Sequence, residues 1–256
     1  MLFNMIIALI PARFHSSRLP GKPLLKFGED TMIQKVYKQT IKSKLIKKAF
    51  VLTDDERIKE SVEEINGSCI LIKDECLNGT ERICIALNRY KHFFENCELI
   101  VNVQGDEPFI NPEHIDLAIN KLLQSQNDKV VCSTLHYQII NPDELNNTSI
   151  GKIILDKNSE VIYCSRSCIP ANKNKNSNLL NCNYYAHIGL FVFKINYLKN
   201  EYNKENTPLQ LEEDIEWLKI IEQGFRLVSS SVKDYEIGVN LPEDYQYLIN
   251  KYYVKD

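Results

Sequence analysis

The chain has no long apolar run. None of its 256 residues belongs to a stretch that approaches the roughly 18 apolar residues of a membrane-spanning helix. The N-terminal apolar run, Ile6–Ile10, is too short for a signal peptide and has no basic leader. Eight cysteines without a secretion signal indicate reduced thiols. We therefore expect a cytoplasmic protein that has no membrane partner.

The chain also lacks an excess of basic residues. Its formal net charge is −3, with 44% hydrophobic and 25% charged residues, which is ordinary for a globular protein. General nucleic-acid binders usually carry a basic excess, so a nucleic-acid partner is not expected. Any anion binding must come from a local cluster of charges.

Two well-known phosphate-binding loops are missing. No G-x-G-x-x-G follows the first apolar run, and Gly21-Lys22 has neither a glycine five residues earlier nor a Ser or Thr after the lysine. The run instead leads into the segment "PARFHSSRLPGKP", which carries Arg13, Arg18 and Lys22 and no acid. Cations in a Gly/Pro loop suit a polyphosphate. A solvated loop whose cations pair with nearby acids is the alternative.

Short apolar runs alternate with helical patterns along the first half. This alternation predicts an α/β sandwich with a mostly parallel central sheet. Strands are predicted at 5–10, 48–55, 69–72, 98–103, 130–135, 183–194 and 225–232, with a hairpin at 152–165 that turns at 157–159. Helices are predicted at 32–41, 58–65, 80–94 (with Thr80 as N-cap), from Pro112, at 208–222 and from Pro242.

The domain organisation follows from the second half of the chain. Neither a repeat nor a clean linker is visible, so we expect a single domain over 1–256 with a small inserted hairpin lobe around 135–195. Residues 171–183 are polar and are predicted to be mobile.

A second cluster of chemistry-bearing residues is "NVQGDEP". Asp106 follows a predicted strand and a glycine, and a carboxylate opposite a cationic loop is suited to Mg²⁺ that bridges phosphates. An acid that caps a turn is the alternative. Ligands of open α/β sheets bind at the carboxyl ends of the strands, and "PARFHSSRLPGKP", "TDD", "NGTER" and "QGDEP" all lie at such ends.

Five segments carry a family resemblance. "IPARFHSSRLPGKPL", "NGTER", "VNVQGDEPFI", "HIGLF" and "PEDY" occur in the order seen in CMP-Kdo synthetases, the 3-deoxy-manno-octulosonate cytidylyltransferases, and the match covers about residues 5–250. The resemblance implies a three-layer sandwich like that of the nucleotide-diphosphosugar transferases. It implies transfer of CMP from CTP to the anomeric 2-hydroxyl of Kdo with release of pyrophosphate. It also implies Mg²⁺, a homodimer and a role in lipopolysaccharide synthesis.

The resemblance also implies roles for individual residues. The CTP-binding set is Ala12, Arg13, Arg18, Lys22 and Gly79, and the catalytic set is Arg13, Lys22 and Asp106. The metal-binding set is Asp106 and Asn240. The sugar-binding set is Arg82, Gln104, Arg166, His187 and Glu216, and the lobe at 135–195 would serve sugar binding and dimerisation.

Physical chemistry fits these roles and leaves alternatives open. The planar guanidinium of Arg82 could clamp the carboxylate of a keto-sugar acid. Spacing alone equally allows a solvated helix arginine at 82, a core histidine at 187 and a solvated helix face at 216. Cys164, Cys168, Cys182 and His187 have spacing too irregular to favour zinc.

The chain departs from the family pattern at four positions. Asn240 stands where the family has a metal-binding aspartate, so weaker metal binding is expected there. Phe191 replaces a sugar-site tyrosine, while Trp217 and Lys219 replace an amide and an arginine. "EDIEWLK" resembles variants that handle 8-amino-Kdo, whose ammonium could pair with Glu213 or Asp214.

Three further interpretations compete with Kdo itself. One is the same reaction on 8-amino-Kdo or another keto-sugar acid. Another is a synthetase of the CMP-sialic-acid type, against which "NVQGDEP" and "NGTER" argue. The third is a non-catalytic nucleotide- or sugar-binding homologue, which the loss of an aspartate at position 240 would permit.

Overall fold

The structure is a computed structural model that describes residues 5–16, 18–171 and 183–254. Residues 172–182, which hold most of the segment predicted to be mobile and Cys182, lie outside the described residues. The strands are β1 (Met5–Ala12), β2 (Lys26–Phe27), β3 (Asp30–Thr31), β4 (Lys48–Thr53), β5 (Cys69–Leu71), β6 (Cys97–Val103), β7 (Val130–Gln138), β8 (Lys152–Leu155), β9 (Val161–Ser165), β10 (Tyr185–Lys194) and β11 (Arg226–Ser231). The α-helices are α1 (Met32–Thr40), α2 (Glu56–Glu63), α3 (Gly79–Arg89), α4 (Pro112–Leu123), α5 (Asp143–Asn146), α6 (Ile195–Asn200), α7 (Pro208–Glu213), α8 (Leu218–Glu222) and α9 (Pro242–Tyr253).

The chain divides into two compact units. Met1–Asp116 and Tyr235–Asp256 form the first unit, and Leu117–Asp234 forms the second. The hairpin predicted for the inserted lobe lies within the second unit. A single functional domain with a lobe at 135–195 stays a prediction. No helix in the described part of the chain has the length and apolar character to cross a membrane.

The sheet of the first unit consists of four parallel strands in the order β6-β1-β4-β5. β1 lies in the middle and pairs with β6 on one side and β4 on the other. Ile6–Ile10 is buried without interruption. Such a run is typical of a parallel strand that is covered on both faces. The α/β class with a parallel sheet is therefore confirmed.

The start of α3 differs from its prediction. The N-cap is Asn78, whose side-chain oxygen accepts the backbone N–H of Glu81 at 2.9 Å. Thr80, the predicted cap, is buried and its hydroxyl accepts a hydrogen bond from the Asn102 amide at 3.0 Å. The prediction of Thr80 was wrong because asparagine is a better N-cap residue than threonine and lies two residues earlier in the chain.

The second unit contains a mixed sheet. β11 runs parallel to β7, β10 pairs antiparallel with β7, and β8 pairs antiparallel with both β10 and β9. The predicted hairpin is confirmed as β8 and β9. Its turn has Ser159 in the left-handed region (φ 64°), and the Asp156 carboxylate accepts the N–H groups of Asn158 and Glu160.

The predicted helix at 208–222 is broken in the structure. α7 ends at Glu213 because Asp214 adopts a left-handed conformation with φ 49°, and α8 begins at Leu218. The break lets Ile215 and Trp217 turn into the interior, where both are buried. Burial of these two large side chains overrides the helical spacing of the sequence.

Acid is expected to destabilise the protein through His136. This side chain is buried on β7, and its Nδ1 lies 2.7 Å from the Ser229 hydroxyl. Burial lowers the pKa of His136 from its ordinary 6.5 to about 4, and Lys121 acts in the same direction. Between these pKa values the unfolded chain binds a proton that the folded chain does not. Stability should therefore fall by about 1–2 kcal/mol from pH 7 to pH 5 through this group.

Urea unfolding at pH 7 and pH 5 measures this effect. His136→Asn should lose less stability on acidification than the parent chain. The exposed His92 offers a matched control, and His92→Asn should keep the parent's pH dependence. An unchanged acid sensitivity in His136→Asn would contradict the assignment.

Candidate active site

The carboxyl ends of the strands in the first unit lie against one another. A Cβ added to Gly105, after β6, would lie 2.6 Å from the Pro11 carbonyl oxygen and 3.2 Å from the Ala12 Cβ. A Cβ added to Gly79, at the start of α3, would lie 3.1 Å from the Pro11 ring. A Cβ at 105 would clash with backbone, so glycine is needed there, whereas a Cβ at 79 would require a small shift of the Pro11 ring. The turn after β6 and the start of α3 therefore both lie against the end of β1.

The cationic loop, residues 13–22, follows β1, and a backbone hydrogen bond joins its two ends. The N–H of Gly21 donates to the Phe14 carbonyl at 3.0 Å, and Gly21 has φ 71°, a region that favours glycine. Arg13 and Arg18 are exposed in this loop. The loop ends at Lys22, which begins the 3₁₀ helix Lys22–Leu24.

Lys22 and Asp106 form an ion pair at the base of the loop. The Lys22 Nζ lies 2.7 Å from Asp106 Oδ2 and donates to the Val239 carbonyl at 2.9 Å. The two side chains are 15% and 26% exposed, so the pair remains open to a ligand. The structure thus brings the predicted phosphate-binding lysine and the predicted metal-binding aspartate together.

Asn240 lies next to Val239, at the start of α9. Its side-chain oxygen accepts a hydrogen bond from Arg18 Nη2 at 3.4 Å, and its own N–H donates to Asp244 at 2.8 Å. The N–H of Val239 donates to the Asp106 carbonyl at 2.8 Å. The segment that carries Asn240 is therefore fixed to the turn that carries Asp106.

Glu107 is a buried acid that was not predicted as a site residue. Burial raises the pKa of Glu107 to about 8, the charge of Asp106 acts in the same direction, and a hydrogen bond from the Tyr235 hydroxyl opposes both. Glu107 is therefore mostly protonated at neutral pH. It adds no second full negative charge beside Asp106. No sequence pattern indicates the raised pKa of Glu107, because it is caused by burial in the folded chain.

The two predicted sugar-binding residues of the first unit are engaged by protein groups. Arg82 is buried, donates to the Ile72 carbonyl and pairs with Asp54 at 3.2 Å. The amide of Gln104 is half-buried and donates to the Asn102 side-chain oxygen at 3.5 Å. Asp54 was not predicted as a site residue, although it belongs to the strand-end segment "TDD". Sugar binding by Arg82 and Gln104 stays a prediction.

Arg166 lies in the second unit and is held by backbone groups. Its guanidinium donates to the carbonyls of Thr148, Glu213 and Asp214, and Nη2 lies 3.3 Å from the Asp214 carboxylate. The Glu213 carboxylate accepts hydrogen bonds from Tyr163, Ser165 and the Arg166 N–H. Three hydrogen bonds thus engage the Glu213 carboxylate, and pairing of Glu213 or Asp214 with a substrate ammonium stays a prediction.

His187 and Glu216 also lie in the second unit. A Cβ on Gly151 would lie 2.6 Å from His187 Cδ2, and the Trp217 ring packs edge-on against the imidazole at a centroid distance of 5.5 Å. Burial lowers the pKa of His187 to about 4, so this imidazole is neutral at pH 7. Glu216 is half-buried. Phe191, the tyrosine replacement, is buried with its ring centroid 6.2 Å from that of His187. Roles for His187, Glu216 and Arg166 in sugar binding stay predictions.

The residues around Asp106 fit a divalent cation that is shared with a substrate. The Lys22 ammonium already occupies a position between a carboxylate oxygen and a carbonyl oxygen. Within the described residues, no group of three or more His, Cys, Asp or Glu could hold a metal. Mg²⁺ commonly takes one or two protein oxygens and completes its shell with phosphate and water. A site made of one carboxylate with a neighbouring amide oxygen matches that pattern.

Comparison with known proteins agrees with this geometry. The family model described as cytidylyltransferase matches residues 7–233. A 3-deoxy-manno-octulosonate cytidylyltransferase of Protochlamydia amoebophila is 38% identical over 239 residues, which are 93% of this chain and 91% of the relative. The enzyme of the same name from Porphyromonas gingivalis is 34% identical over 241 residues, which are 93% of each chain.

A solved structure matches over almost the whole chain. It is that of CMP:2-keto-3-deoxy-manno-octonic acid synthetase complexed with CTP, and it superposes with a TM-score of 0.86 at 26% identity, covering 95% of this chain and 96% of that one. Sequence and structure therefore lead to the same conclusion: this chain belongs to the cytidylyltransferase family.

Proposed function

We propose that this protein transfers CMP from CTP to the anomeric 2-hydroxyl of Kdo and releases pyrophosphate. The observation that carries the proposal is the Lys22–Asp106 pair, 2.7 Å apart at the carboxyl ends of parallel strands. This pair lies at the base of a loop with two exposed arginines, within a chain of the cytidylyltransferase family.

The nucleotide would be held by the cationic loop and its neighbours. Arg13 and Arg18 present guanidinium groups to the outer phosphates, and Lys22 presents a point charge near the α-phosphate. Ala12 and Gly79, which lie at the end of β1, would contact the nucleotide beside this loop. These five residues account for the predicted CTP site.

The reaction needs a nucleophile, an electrophile and a leaving group in one line. The anomeric oxygen of the sugar attacks the α-phosphorus, the bond to the pyrophosphate oxygen breaks, and the hydroxyl proton passes to solvent or a nearby base. Lys22 and Arg13 stabilise the negative charge that grows on the leaving pyrophosphate. Positioning and charge stabilisation account for most of such catalysis.

Asp106 and Asn240 would hold Mg²⁺ together with the phosphates. The cation, when bound, neutralises phosphate charge and lowers the pKa of a coordinated hydroxyl. Asp106, whose carboxylate pairs with the Lys22 ammonium, would supply the charged ligand, and Lys22 would act on the phosphates beside it. Asn240 brings an oxygen without charge, so its contribution to affinity would be smaller than that of an aspartate.

The assembly and the cellular setting are part of the same proposal. We propose a homodimer in the cytoplasm, whose product serves lipopolysaccharide synthesis. The cysteines at described positions are free thiols, as is typical of a reducing compartment.

A matrix of nucleotides and sugars tests the proposed activity. Pyrophosphate release should be fastest with CTP and Kdo in the presence of Mg²⁺, and slow with ATP, GTP or UTP. Equal or better turnover of 8-amino-Kdo would assign the chain to the amino analogue. CTP binding without pyrophosphate release from any keto-sugar acid would indicate a binding homologue and contradict the proposal.

A further inference from the structure

The strand-end segment Thr53–Asp55 has no part in the proposed reaction, yet it contacts the cationic loop. Asp54 Oδ1 accepts the backbone N–H of Phe14 at 3.3 Å, and Oδ2 accepts a hydrogen bond from Arg82 Nη2 at 3.2 Å. One carboxylate therefore joins the cationic loop after β1 to α3.

Phe14 is the residue on which the cationic loop closes. Its carbonyl accepts the Gly21 N–H, and a Cβ on Gly21 would lie 3.2 Å from its ring. The Arg57 guanidinium lies over the same ring, 3.6 Å from its centroid, and is itself bound by both oxygens of Asp55. Fixing the backbone of Phe14 thus fixes both ends of the loop.

The ion pair with Arg82 fixes the position of the Asp54 carboxylate. Its side chain is only 6% exposed and also donates to the Ile72 carbonyl, so its position is set by the interior of the first unit. A buried guanidinium needs a carboxylate partner, because an unpaired buried charge is strongly unfavourable. Asp54 is 27% exposed and lies between this buried cation and the solvent-facing loop.

We propose that Asp54 is a positioning residue, which holds the cationic loop in the shape that presents Arg13, Arg18 and Lys22 to a triphosphate. The proposal rests on the proposed function for the identity of the ligand. Asp54 touches no substrate and acts through the N–H of Phe14. Removing it should loosen the loop and weaken CTP binding, while the chemical step, once CTP is bound, should change little.

The test combines amide exchange with nucleotide binding. The chain has nine glycines, so ¹⁵N-glycine labelling gives a simple spectrum in which the Gly21 amide can be followed. In Asp54→Ala without nucleotide, we expect the Gly21 amide to exchange about tenfold faster than in the parent chain. The Kd and KM of CTP should each rise about tenfold, which is the effect of losing a hydrogen bond to a charged acceptor, and kcat should stay within about threefold.

Two further variants separate positioning from general damage. Asp54→Asn keeps the size of the side chain but has one oxygen for two donors. The buried Arg82 takes that oxygen, so the Phe14 N–H loses its acceptor, and Gly21 exchange and CTP affinity should change as in Asp54→Ala. Asp74→Asn removes a carboxylate from another arginine pair of the same unit, with Arg89 at 2.8 Å, and should leave both readouts unchanged. If Asp54→Ala does not fold, Asp54→Asn decides, and Gly21 exchange and CTP affinity like those of the parent chain would overturn the proposal.

The outcomes of this test distinguish the two proposals. Parent-like Gly21 exchange and CTP affinity in Asp54→Ala would overturn the positioning role. A fall in kcat with an unchanged KM for CTP would overturn it as well, because it would place Asp54 in the chemical step. If the parent chain bound no CTP, the proposed function would fail, and Gly21 exchange would still decide whether Asp54 fixes the loop.

Discussion

Replacing Lys22 by methionine is expected to lower kcat/KM for CTP about a hundredfold, in line with the loss of one charged group that acts on a leaving phosphate. Methionine keeps most of the length of the unbranched side chain and removes its charge. The Lys22 Nζ is bonded to Asp106 and to the Val239 carbonyl, so the variant loses both of these contacts, while the Arg18–Asn240 hydrogen bond still joins the cationic loop to the segment before α9. Steady-state kinetics with CTP and Kdo, together with calorimetric binding of CTP, measure the effect.

The control for this variant is Lys26→Met. Lys26 lies four residues beyond Lys22 in the chain, is exposed and donates to the Glu29 carbonyl. Its replacement should leave kcat/KM within about twofold, as surface substitutions usually do. A loss of less than threefold in Lys22→Met would remove Lys22 from the proposed mechanism. Lys22→Arg should recover part of the activity, because charge is restored with a different shape.

The fold was predictable where short-range patterns carry the information. The buried run Ile6–Ile10, the helix that starts at Pro112 and the hairpin at 152–165 depend on apolar runs, on capping residues and on turn residues that are close in sequence. The helix at 208–222 was not predictable in the same way. It breaks at Asp214 because Ile215 and Trp217 are buried by residues that are distant in the chain.

The contact between Lys22 and Asp106 was predictable from the topology, and the other contacts around them were less so. The rule that ligands bind at the carboxyl ends of parallel strands brings the cationic loop and Asp106 to one edge, as observed for Lys22. The partner of Arg82 could not be read from spacing, because the Asp54 contact joins residues that are 28 positions apart. The raised pKa of Glu107 follows from its burial, which a single sequence does not reveal.

Asp106→Asn is the second variant from which we expect a large effect. Asparagine keeps the shape of the side chain and removes the charge that now balances Lys22 and would attract Mg²⁺. We expect kcat to fall about a hundredfold or more, because Asp106 would be the one protein carboxylate on the Mg²⁺ ion and would account for much of the affinity for the metal. Mn²⁺ binding in the presence of CTP, followed by electron paramagnetic resonance, should weaken in parallel.

Asn240→Asp adds a carboxylate at the second proposed metal ligand, whereas Asp106→Asn removes one at the first. The two variants together complete this test. The Asn240 oxygen already accepts a hydrogen bond from Arg18, so a carboxylate there would be paired before any metal arrives. The new charge should tighten Mn²⁺ binding by about three- to tenfold, since carboxylates bind hard cations better than amides. If Asp106→Asn kept both its activity and its Mn²⁺ affinity, Asp106 would not be a metal ligand. If only Asn240→Asp had no effect, position 240 would lie outside the metal's reach and Asp106 would act with substrate oxygens alone.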